Sequence, residues 1–148
     1  MATVSRDLPI AEITLRKYEK PYNLKGRDLM RKLCLSMGLL NPGDSRDVVV
    51  DVFSVVFNSS TPLSSKDIED KVVFQRKSLG LPMRGITPPN IRRQIKRLRD
   101  IFLVERTGNE YKITEGQKLE EIFVEKIEQY YLHSIITRVK EYCRALQE

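Results

Sequence analysis

TPPNIRRQIKRLRDI, residues 87–101, reads as one short helix with two unlike sides. The Thr87 hydroxyl can cap its first turn, and Pro88 suits the first helical position, where no amide hydrogen is needed. Ile91, Ile95, Leu98 and Phe102 follow at spacings of four, three and four. At about 3.6 residues per turn they fall in a stripe about 60° wide, which must be buried. Arg92, Arg93, Lys96, Arg97 and Arg99 take up the rest of the circumference. Such a helix is anchored in a core on one side and held toward something anionic on the other. A cationic run is most often a plain solvated face. The residues behind this one argue for more.

Leu103–Arg106 (LVER) reads as a short strand and Tyr111–Thr114 (YKIT) as a second. Between them, Thr107-Gly108-Asn109-Glu110 is a turn in which Gly and Asn can take positive φ. Helix, strand, tight turn and strand in immediate succession resemble the last part of a winged helix-turn-helix domain. The resemblance spans about Asp44 to Thr114 and is one of pattern. It implies that the basic helix is a recognition helix and the hairpin a wing. The expected fold is mainly α with a small β-hairpin wing. Residues 1–43 form an N-terminal arm and helix, 44–114 the winged helix-turn-helix domain, and 115–148 C-terminal helices that serve as a dimerisation element.

The 148 residues suffice for one ordinary domain with an appendage. Charged residues make up 31% and apolar ones 41%, a balance that suits a soluble chain. No apolar run reaches the roughly 18 residues of a membrane span, and MATVSRDLPI lacks the apolar core of a secretory signal. The expected location is the cytoplasm, on the nucleoid if the source is prokaryotic. Cys34 and Cys143 lie far apart in helical patterns, outside any CxxC unit, and the lone His133 has no partner in sequence. A zinc site is therefore not expected, and both cysteines read as small buried apolar groups. His133 reads as a partly buried structural residue.

The net charge of +6 is unevenly spread. Residues 1–43 carry +4, 44–83 carry −1, 84–106 carry +5, 107–114 are neutral and 115–148 carry −2. The positive field thus sits in the N-terminal segment and the basic helix, the footprint of a nucleic-acid binder.

Along the chain, Met1–Asn23 fits three readings: an edge strand around Ile13 and Leu15, a short helix capped by Asp7, or a basic arm that touches a partner or a phosphate backbone. Asn23–Gly38 reads as a helix with Leu29, Met30, Leu33, Cys34 and Met37 inward, ended by Gly38. Asp44 or Ser45 caps the next helix, RDVVVDVFSVVF. Its β-branched residues also suit a strand, but Val49, Val52, Phe53, Val56 and Phe57 keep helical spacing. Ser64 and Asp67 form a capping box for a third helix, which ends near Gly80 with Ile68 and Val72 inward. The linkage LPMRGI before Thr87 is longer than the three or four residues usual between such helices. Thr114-Glu115-Gly116-Gln117 reads as a capping box that opens a long helical tract. Leu119, Ile122, Phe123, Ile127 and Tyr130 share one face, and Ile135, Val139, Tyr142 and Leu146 another. The phase changes at Leu132-His133-Ser134, so two helices are expected, the first packed on the core and the second on a copy of itself.

No nucleotide loop, dinucleotide fingerprint or nucleophile elbow is present in the sequence, so catalysis, cofactor and metal are not expected. The expected partner is double-stranded DNA, bound by a homodimer joined through its C-terminal helices, as in a transcriptional regulator. The expected contacts are Arg84, Thr87, Asn90, Arg92, Arg93, Lys96, Arg97 and Arg99, with Arg106, Asn109 and Lys112 from the wing. Asn90 has the geometry to read adenine, and Arg93 and Arg97 to read guanine or grip phosphate. Arg92, Lys96 and Arg99 suit phosphates, which set register without reading sequence. The alternative is a winged-helix module for protein assembly or RNA contact within a transcription, replication or translation complex.

Overall fold

The apolar run beginning at Val48 is a helix rather than a strand, and the other elements are arranged around it. The structure, a computed structural model, describes residues 4–148. The helices are α1 (Val4–Asp7), α2 (Gly26–Ser36), α3 (Val48–Asn58), α4 (Ser65–Ser78), α5 (Pro88–Asp100), α6 (Leu119–Ile122) and α7 (His133–Gln147). The strands are β1 (Leu63–Ser64), β2 (Val104–Thr107) and β3 (Glu110–Ile113). The fold is mainly helical, with one small antiparallel sheet.

Every residue of α3 from Val48 to Val56 is buried, because α2, α4, α5 and β3 all pack on it. A helix covered on all sides needs no polar face, which explains a run that lacks clean amphipathic periodicity. The core continues through Ile68 and Val72 of α4 and Ile91, Ile95 and Leu98 of α5. Helix α3 begins later than the sequence suggested. Asp47 is its N-cap position, and Asp44 instead accepts the Arg46 amide in a turn at 2.9 Å. The Ser64–Asp67 capping box of α4 is present as expected.

The sheet has the order β1-β3-β2. Val104 faces Ile113 and Thr107 faces Glu110, leaving Gly108 and Asn109 as a two-residue turn. Only Gly108 takes positive φ, +61°, as a type II′ hairpin requires of its first turn residue. Strand β1, just ahead of α4, pairs Leu63 with Tyr111 and so adds an edge strand that the sequence reading did not include.

The described part of the N-terminal segment forms neither an edge strand around Ile13 and Leu15 nor a helix capped by Asp7. Residues 11–20 run extended along the C-terminal end of α2, on their own chain. The Arg16 amide donates to Ser36 O at 2.8 Å, and its guanidinium donates to the carbonyls of Leu35 and Leu40. Gly38, at φ +71°, ends α2, and a Cβ there would lie 2.7 Å from the Thr14 Cβ. Glycine is needed both for the left-handed backbone and for the closeness of the arm. Met1–Thr3 lie outside the described residues.

Behind the hairpin, the expected capping box at Thr114 does not form. Glu115 adopts φ +53°, and the Thr114 hydroxyl turns back to donate to Phe102 O at 2.6 Å. The helical tract starts at Leu119, winds as a π-helix over Phe123–Leu132 and continues into α7 without a break. The wider winding accounts for the change of phase that looked like two separate helices. Ile122 and Ile127 are buried, whereas α7 buries no residue. Tyr130, His133 and Cys143 are exposed, against expectation, because this part of the tract extends past the core. No helix among the described residues is long and apolar enough to cross a membrane.

Candidate nucleic-acid interface

Helix α5 is held by its three apolar residues and by its ends. The Thr87 hydroxyl makes no cap bond, although Pro88 opens the first turn as expected. Asn90 supplies the restraint instead: its amide donates to Gly85 O at 2.6 Å, while its carbonyl accepts from Arg93 and Gln94. Asn90 is thus half-buried, with its amide and its carbonyl both engaged within the chain. At the other end Phe102 lies outside the helix, at φ +68°, and the Leu103 amide closes back on Leu98 O at 3.0 Å.

The cations of α5 divide by direction. Arg92, Arg93, Lys96 and Arg99 are exposed, whereas Arg97 is half-buried. The Arg97 guanidinium donates to Leu39 O at 2.7 Å and to the Gln94 side chain at 2.8 Å. It therefore braces α5 against the segment after α2. Among the described residues Lys96 alone of the five has a carboxylate partner, Asp100 at 2.9 Å, one turn along an exposed surface. Such a pair is worth little and is easily exchanged for an external anion.

Around the helix, Arg84 and Thr87 are exposed in the preceding loop. In the hairpin, Arg106 folds over its own turn, donating to Gly108 O at 2.7 Å and toward Asn109 Oδ1. Lys112 is half-buried with Glu105 at 3.8 Å. The guanidiniums of Arg99 and Arg106 each lie 6.0 Å from the Tyr111 ring, so Tyr111 links the end of α5 to the hairpin.

A second charged cluster, missed in the sequence, has the opposite character. Asp51 faces Arg27, Gln75 and Arg76, and Asp47 accepts from Arg27 and Arg76 as well. Burial disfavours the Asp47 carboxylate, but hydrogen bonds from Arg27 and Arg76 outweigh it and hold the group below the usual carboxylate range. Burial likewise disfavours the Arg27 cation, and its bonds to Asp51 and Asp47 raise its affinity for the proton all the same. The signal was an aspartate in the middle of VVVDVFSVVF, since a carboxylate on a fully covered helix requires cationic partners.

An open apolar groove of about 1000 Å³ lies between α2, α3 and α4, with Leu29, Met30, Leu33, Val55 and Phe74 among its walls. Phe57 lines it and is about half exposed, not turned into the core as its spacing suggested. Comparison with protein-family models, with curated proteins and with solved structures yields no match to this chain.

Proposed function

We propose that this chain is a winged-helix protein that binds duplex DNA through α5 and the β2–β3 hairpin, acting as a dimeric transcriptional regulator. The observation that carries the reading is that Arg92, Arg93 and Arg99 stand exposed on α5 without a carboxylate partner among the described residues. An unneutralised cationic face on a core-anchored helix suits the major groove, where the phosphates on either side supply the anions. The three helices α3, α4 and α5, the short strand before α4 and the hairpin after α5 support the winged-helix assignment.

The dimer rests on α7. Ile135, Val139, Tyr142 and Leu146 follow at spacings of four, three and four, and none of them is buried by its own chain. Two such stripes cover each other in a short coiled coil. Sedimentation should show a dimer for the whole chain and a monomer for a chain truncated after Leu132.

DNA binding is tested by fluorescence anisotropy with a random duplex at several salt concentrations. Neutralising about six phosphates gives a slope of log K against log salt near −5. Arg92→Ala/Lys96→Ala, both exposed, should weaken binding at least tenfold and make the slope shallower by about two. The second reading, a protein-assembly or RNA-contact module, is favoured by the apolar groove beside α3. Duplex affinity indifferent to the double substitution would select it.

A further inference from the structure

On the side of α5 away from Tyr111 lies a separate cavity of about 620 Å³. Its walls are the segment joining α2 to α3, the first turn of α3, the loop before α5 and the first turns of α5. Four arginines line it, Arg46, Arg84, Arg93 and Arg97, against one carboxylate, Asp44. None of the four has a carboxylate partner among the described residues.

The way these guanidiniums are held identifies what they await. Arg97 is positioned by Leu39 O and the Gln94 carbonyl, and Arg93 by the Asn90 carbonyl. Asn90 is itself fixed to Gly85 O. All of these acceptors are neutral, so they orient the cations without cancelling their charge. The buried Arg76 and the half-buried Arg27 are by contrast held by the carboxylates of Asp47 and Asp51. Val48 and Val49 also line the cavity, at the amino end of an 11-residue helix whose first amides have no acceptor within the helix. Forked donors with several unused N–H groups match the tetrahedral oxygens of phosphate better than a single carboxylate.

We propose that this cavity is a phosphate-binding site. Its volume exceeds that of a bare ion and leaves space for the body of a nucleotide. The phosphate belongs either to a free nucleotide or to a strand of the duplex that α5 approaches; only the second source rests on the DNA-binding reading.

Arg46 separates the two sources. It is exposed, its side chain makes no bond among the described residues, and it lies outside α5, so Arg46→Glu should leave the fold intact. Titration calorimetry with adenosine 5′-monophosphate and with adenosine is run beside the duplex titration, on the whole chain and on Arg46→Glu, with circular dichroism as the check on folding. Saturable binding of the monophosphate but not of adenosine, weakened at least tenfold by Arg46→Glu, establishes a free-nucleotide site, whether or not the chain binds DNA. Failure of the monophosphate to bind, together with duplex affinity lowered at least tenfold and a salt slope shallower by about one in Arg46→Glu, assigns the cavity to a strand phosphate. A folded Arg46→Glu that matches the parent chain in both titrations overturns the proposal. A chain that binds the monophosphate but not the duplex overturns the DNA-binding reading alone.

Discussion

Arg76 and Asp51 form an ion pair withdrawn from solvent, with side-chain exposures of 2% and 0%. Three further groups close the network: Arg27 on α2, Gln75 on α4 and Asp47 at the start of α3. Helices α2 and α4 are thereby fastened to α3 at one depth and one rotation. Each of these arginines is neutralised by a carboxylate of its own chain.

Removing Asp51 should therefore be severe. Asp51→Ala leaves the Arg76 cation buried with Asp47 as its sole remaining acid, and the expected loss is about 3–5 kcal/mol in urea unfolding. A loss below about 1 kcal/mol would mean that the network is incidental to stability.

The same network sets an acid limit. The folded Asp47 pKa is depressed, so its contribution is complete above the unfolded value near about 4 and disappears as pH falls through the folded one. The urea midpoint should hold steady down to about pH 5 and fall below it. In Asp47→Asn the midpoint should start lower and fall less over that range, and an acid limb identical to the parent's would remove Asp47 as its source.

Phe102 reverses a familiar order of substitutions. Its φ of +68° is a conformation suited to glycine, yet its ring meets Tyr130 and Tyr131 edge-on at 6.1 and 5.8 Å. Both Phe102→Ala and Phe102→Gly lose the aromatic contacts, but only glycine relieves the backbone strain. Phe102→Ala should be the less stable of the two by about 1 kcal/mol, measured by thermal or urea unfolding. Equal stabilities would show that the left-handed backbone carries no strain there.

The two thiols should differ sharply in reactivity. Cys143 is exposed on α7, while burial pushes the Cys34 thiol up to about 12. Iodoacetamide at pH 8 should label Cys143 and spare Cys34 until the chain is unfolded, as followed by mass spectrometry. Rapid double labelling of the folded chain would contradict the packing of α2 on α3.

What the sequence alone determined about this protein lies within a few residues of itself. The stripe Ile91, Ile95 and Leu98, the Ser64–Asp67 box and the Gly108 turn are local, because periodicity, capping and φ preference act over one or two turns of chain. Tertiary structure decided which cations remain free. Arg27 and Arg76 meet carboxylates 24 and 25 residues away, and Arg97 meets a carbonyl 58 residues away. Whether an arginine is neutralised, braced or left for a ligand depends on what the folded chain brings within hydrogen-bond reach. No spacing along one helix encodes that. The same holds for the arm, whose fastening depends on the carbonyls of Leu35, Ser36 and Leu40 and on the missing side chain of Gly38.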